Sequence, residues 1–94
     1  MENIPSLELL EATHTFPGPY TFKVIGHAAD DFVARVVEAV REELQAGDDL
    51  EYGVRQTSGG AQISITLNPY IDSATQVQAI YRRIVVISGL IMLL

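Results

Sequence analysis

Between residues 20 and 26 apolar and polar positions alternate, with Phe22 and Val24 on one side and Thr21, Lys23 and Ile25 on the other. That two-residue period predicts a strand with one buried face. From residue 30 to 46 the period lengthens: Phe32, Val33, Val36, Val37, Val40 and Leu44 recur at three- and four-residue steps, with Arg35, Glu38 and Glu42 opposite. The pattern predicts an amphipathic helix, stopped by Gly47. Asp48-Asp49 then reads as a polar turn, and residues 51–56 as a second strand, weakened by Gly53, in which Tyr52 and Val54 share a face. Ser58-Gly59-Gly60 is hairpin-turn chemistry. Residues 63–68 alternate without a break, Ile63, Ile65 and Leu67 against Ser64, Thr66 and Asn68. Ser73-Ala74-Thr75-Gln76 is a capping box opening a second helix striped by Val77, Ile80, Tyr81 and Ile84, with Arg82 and Arg83 towards its negative end. Ser88-Gly89 breaks that helix, and residues 90–94 form a last strand.

Upstream, Ser6 is placed to cap one or two helical turns, and Phe16-Pro17-Gly18-Pro19 is a rigid turn leading into the first strand. Residues 1–19 are therefore an N-terminal arm, and 20–94 a single domain. The order strand, helix, strand, strand, helix, strand predicts an α+β, ferredoxin-like βαββαβ fold: a four-stranded antiparallel sheet with two helices on one face. The first and third strands are then central neighbours, so Phe22, Val24, Ile63, Ile65 and Leu67 should floor the core beneath the valine stripe and Val77, Ile80 and Ile84.

Ninety-four residues fit one domain. The absence of cysteine excludes disulfides, thiol chemistry and cysteine-ligated metals. The amino end lacks the pattern of a secretory signal. The apolar run over 84–94 falls short of the about 18 residues a membrane span requires. A cytoplasmic protein without a membrane segment is expected. The net charge of −6, with Lys23 the one lysine, disfavours nucleic acid and anionic surfaces. The face of the sheet away from the helices, carrying Thr21, Lys23, Ile25, Ser64, Thr66 and Asn68, also lacks the aromatics on which RNA-binding domains of this topology stack bases.

The segments TFKVIGHA, ISITLN, QVQAIYRRI and the terminal GLIMLL, in this order and spacing, resemble the YbeD-like family of small uncharacterised bacterial proteins. The resemblance runs from near Tyr20 to the end. It implies a βαββαβ fold similar to ACT-type regulatory domains, which bind amino acids or other effectors and often pair through their sheets. It implies no reaction and no catalytic residue.

Two places remain as candidates for function. The first is the junction Gly26, His27, Asp30 and Asp31, where ACT-type domains hold an effector. If the valine-rich helix is laid on theirs, Asp31 falls where a glycine would expose helix amides, and its carboxylate would repel an anionic ligand. The ordinary structural role is the stronger reading: the aspartates start and cap the helix, and Gly26 relieves crowding where the strand leaves the sheet. The second is the terminal strand, apolar on both sides, with Leu90, Met92 and Leu94 as an interaction edge. Either the arm, through Leu7, Leu9 and Leu10, folds back over it, or a second chain covers it, including a homodimer through this sheet edge. His14 and His27 lack the converging partners of a metal site or a general base. Ser58-Gly59-Gly60 lacks the lysine and following helix of a phosphate loop. No cofactor is expected. The leading expectation is a non-enzymatic regulatory or protein-interaction module with an unidentified protein partner. The alternative is a sensor of a small, amino-acid-like effector.

Overall fold

The computed structural model describes residues 4–45, 50–57 and 59–94. Its elements are α1 (Leu7–Thr13), β1 (Gly18–Pro19), β2 (Phe22–His27), α2 (Phe32–Leu44), β3 (Tyr52–Gln56), β4 (Gln62–Leu67), β5 (Tyr70–Ile71), α3 (Ala74–Val85) and β6 (Leu90–Leu93). The Gly47 helix stop, the Asp48-Asp49 turn and Ser58 of the hairpin lie outside the described residues. Gln45 closes α2 in the left-handed conformation, its amide donating to the Arg41 carbonyl.

The protein is α+β, with an antiparallel four-stranded sheet in the order β3-β4-β2-β6. The expected central neighbours, β2 and β4, pair in register from Phe22↔Leu67 to His27↔Gln62. Beyond the expected four strands and two helices, a ribbon of β1 and β5 pairs Gly18 with Ile71 and Pro19 with Tyr70. The proline turn and the linker before α3 are thus joined to each other. Two-residue strands are too short to show alternation, so only the tertiary pairing reveals them.

Alternation along β2 and β4 puts Phe22, Val24, Ile65 and Leu67 into one buried cluster with Phe32, Val36, Val37 and Val40 of α2 and Val77, Ile80, Tyr81 and Ile84 of α3. Ile63, expected in the core floor, is only half-buried because it lies at the margin of this cluster. Capping follows the sequence: Ser6 Oγ accepts from the Leu9 amide at 3.1 Å and Ser73 Oγ from the Gln76 amide at 3.3 Å. Gln76 Oε1 reaches back to the Asp72 amide at 2.8 Å, so the box closes one residue before the cap. Arg83 of α3 donates to Glu43 at 2.7 Å and Glu42 at 3.2 Å, tying the two long helices together at their solvent side.

Among the described residues, the arm packs elsewhere than over β6. Helix α1 packs on α3, with Leu10 buried, and Gln78 Nε2 donates to the Pro5 carbonyl at 2.9 Å. Of the two coverings expected for the terminal strand, fold-back of the arm is therefore overturned. The reason is that one leucine of the three, Leu10, already satisfies the exposed side of α3, while Leu7 and Leu9 remain in solvent.

Candidate functional site

The strand-to-helix junction is built around one ring. Gly26 is buried, and a Cβ at this position would collide with Cζ, Cε1 and Cε2 of Phe32. The ring of the first α2 residue therefore uses the space of the missing side chain. On another side, Gly89, at φ +97°, would place a Cβ 3.5 Å from Phe32 Cδ1. The expected role for Gly26, relief of crowding where the strand leaves the sheet, thus takes a specific form, a seat for Phe32. The pairing with β6 also slips here, from Ile25↔Met92 to Gly26↔Leu90, leaving Ile91 as the extra residue of a bulge.

Backbone bonds hold the junction: His27 N to Gly89 O at 2.9 Å, Ala28 N to Ala61 O at 3.1 Å, and Phe32 N to Ala29 O at 3.2 Å. Asp30 and Asp31 are both left-handed, at φ 55° and 56°, a conformation that aspartate tolerates better than most residues. Asp31 occupies the N-cap position of α2, as expected, but its side chain makes no capping bond. A left-handed cap turns the carboxylate away from the amides it was expected to satisfy. Arg35 performs a tethering role that the helical pattern did not announce. Its Nε donates to the Asp30 carbonyl at 2.9 Å and its Nη1 to the Ser88 carbonyl at 2.8 Å, while its guanidinium carbon lies 5.7 Å from the Phe32 ring centroid.

The four junction candidates separate. Asp30 and Asp31, with Ala28, Phe32, Tyr52, Gln56 and Ile63, line an open cavity of about 570 Å³ on the helix side of the sheet. Gly26 lies beneath Phe32, outside the lining. His27, one alternation step from Gly26, faces the opposite side of the sheet and is exposed. Among the described residues no group of three or more histidine, aspartate or glutamate side chains could hold a metal ion.

The terminal strand is the second site. It is an edge of the four-stranded sheet, and its candidates also separate. Leu90 is half-buried and packs against the core, whereas Met92 and Leu94 are 48% and 57% exposed and the bulged Ile91 is 39% exposed. Met92 pairs with Ile25, and Leu94 exchanges backbone bonds with Lys23 at 2.8 and 3.3 Å. Both side chains therefore stand on the face away from the helices, beside Ile25 and Lys23. On the same face a smaller depression of about 310 Å³ is lined by Lys23, Gly53, Arg55, Ser64 and Thr66. Among the described residues of the four strands no phenylalanine, tyrosine or tryptophan stands on this face, and His27 lies at its margin. Arg55 was not singled out by the sequence pattern: the face shared by Tyr52 and Val54 leaves it on the other side, but its approach to Lys23 across β4 is a tertiary pairing that no local period marks.

An aromatic group backs the far end of the core. Tyr20 and Tyr81 hydroxyls hydrogen-bond at 3.1 Å, and Phe22 meets Tyr81 at 5.0 Å between centroids. Burial, reinforced by the Tyr20 hydroxyl, pushes the Tyr81 phenol well above the ordinary tyrosine range. His14, exposed, leans on Tyr20 at 4.8 Å between centroids, which gives it an aromatic contact and no junction role.

A small α+β domain with a phenylalanine seated on a glycine, an open cavity beside it and an apolar rim is the class that fold and sites define. The chain belongs to the DUF493 family, described as a protein of unknown function, whose model matches residues 11–94. It is 34% identical over 82 residues to a UPF0250 protein of Shewanella halifaxensis, covering 87% of this chain and 86% of that one. A UPF0250 protein of Klebsiella pneumoniae is 34% identical over 77 residues, 82% of each chain, and one of Vibrio cholerae 30% identical over 84 residues, 89% of each. The likeness to small uncharacterised bacterial proteins of the YbeD-like kind is thereby established. No helix among the described residues is long and apolar enough to cross a membrane.

Proposed function

We propose that this protein is a non-enzymatic, cytoplasmic regulatory module that works by contact with another protein through the β6 rim. The observation that carries the reading is the exposure of Ile91, Met92 and Leu94 on an edge strand while α1 packs elsewhere. Leu93 adds unpaired backbone groups to this rim, since in an antiparallel ladder residues alternate in which side they bond. We read the sheet order β3-β4-β2-β6 with α2 and α3 as ferredoxin-like and akin to ACT-type domains, the extra α1 and the β1-β5 ribbon being additions to that plan. In folds of this kind, sheet edges are natural pairing surfaces. Placing charge at the rim by Met92→Asp with Leu94→Asp, both exposed, should leave the circular dichroism spectrum unchanged and abolish stable association, with itself or with a partner, in sedimentation of native extract. Unchanged sedimentation of the variant relative to the parent, when the parent is associated, or a lone monomer in both, counts against the reading.

The second reading, a small-effector sensor, is favoured by the cavity beside Asp30 and Asp31. Its carboxylates, with the Tyr52 and Gln56 side chains, suit a ligand carrying an amine rather than a simple anion. Thermal-shift screening of amino acids and amines against small anions tests it: stabilisation by amines with movement of the Ala28 and Asp31 amides supports a sensor, and silence across the panel rejects it.

A further inference from the structure

The face away from the helices is divided. Across one row of the sheet stand Gly53, Thr66, Lys23 and Leu94, and across the next Arg55, Ser64, Ile25 and Met92. The polar side chains of each row thus lie towards the β3 side, and each row ends apolar on β6. Gly53 has no Cβ and open space above it, so the Lys23 and Arg55 side chains with the Ser64 and Thr66 hydroxyls surround a depression. Neither cation forms a salt bridge among the described residues, in contrast to Arg83, which is held by Glu42 and Glu43. These two rows carry no side-chain carboxylate; the nearest on the ladder is Glu51, one step further, whose carbonyl accepts from the Asn68 amide. In a chain of net charge −6, two free cations flanked by hydroxyls beside an apolar rim form a local exception.

We propose that this face receives an acidic, apolar-bearing segment of a partner protein, its apolar side chains on Ile25, Met92 and Leu94 and its carboxylates over Lys23 and Arg55. The inference rests on the interaction reading above and specifies the partner's chemistry. Charge complementarity selects the occupant. Carboxylates match an isolated cation pair with donor hydroxyls at short range. An anionic membrane would instead meet the field of the whole acidic molecule, and nucleic acid would find neither tyrosine, phenylalanine nor tryptophan to stack on. The geometry also sets a spacing. The depression centres on β4, two strand spacings from β6, or roughly 10 Å, which an extended segment crosses in about three residues. The partner motif is therefore a pair of apolar residues separated by about three positions from a pair of acidic ones.

The test uses the full chain and a synthetic peptide with two leucines followed, about three residues on, by two glutamates. It should move the amides of Lys23, Ser64, Thr66 and Met92 saturably, and the glutamine version should bind about fivefold or more weakly. Lys23→Glu with Arg55→Glu, both exposed and so compatible with the fold, should weaken the acidic peptide to the same degree, and added salt should weaken it too. Binding that survives this charge reversal but is lost in Met92→Ser overturns the acidic requirement while leaving the rim reading intact. Association that persists unchanged in the Met92→Asp, Leu94→Asp variant would instead strike the rim reading. Absence of peptide binding, shifts confined to the α2 cavity, or binding only to phosphatidylglycerol vesicles or oligouridylate overturns the inference.

Discussion

The Phe32 ring lies where a side chain at residue 26 would have to go. Strand and helix are thereby fitted to one another at the point where the chain leaves the sheet. Gly26→Ala should destabilise the protein by about 1–3 kcal/mol through overpacking. In a Phe32→Leu background the same change should cost less, because the smaller side chain vacates the seat. Urea unfolding of the four members of the cycle measures this, and an equal cost in both backgrounds would refute the seating.

Arg35 joins the Asp30 carbonyl to the Ser88 carbonyl, so it fastens the β2-α2 junction to the turn before β6. Arg35→Ala should remove about 1–2 kcal/mol and accelerate amide exchange at Gly89 and Leu90. Arg35→Lys should fail to restore protection, since a lysine cannot present two directed donors from one planar group. Full protection in the lysine variant would show that charge, not geometry, supplies the tether.

Tyr81 holds its proton to higher pH when folded than when unfolded. Folding is unaffected by this group below about pH 10, where both states are protonated. Above that pH the unfolded chain releases the proton first, so stability falls as pH rises towards the folded value. Tyr81→Phe should reduce this alkaline loss, at the cost of about 1 kcal/mol at neutral pH for the missing bond to Tyr20. Denaturant midpoints at neutral and alkaline pH, with absorbance titration of the phenolates, measure both effects. An undiminished alkaline loss in the variant would contradict the assignment.

How far the sequence could be read depended on the length scale of each interaction. The period-two stretch at Phe22 and Val24 and the stripe through Val36, Val37 and Val40 reported their own faces, because a whole element must agree on which side is buried. The Ser73 cap was legible because its partner is only three residues away. The β1-β5 ribbon, the seat of Phe32 on Gly26 and the Arg35 tether join positions that are distant in sequence or hidden within an ordinary helical pattern, and no local period marks them. The same reason explains the partial success at the sites. Met92 and Leu94 were visible as apolar residues in excess of one face, but Leu90 turns inward at a bulge, and Arg55 joins Lys23 only across two intervening strand pairings.

The most direct measurement of the central claim is photo-crosslinking in living cells, with a crosslinking residue placed at Met92 or Leu94 and, for comparison, at Glu38 on the exposed side of α2. Contact through the β6 rim predicts a discrete adduct of reproducible mass from positions 92 and 94 and none from 38. Equal adducts from all three positions, or one from 38 alone, would contradict it.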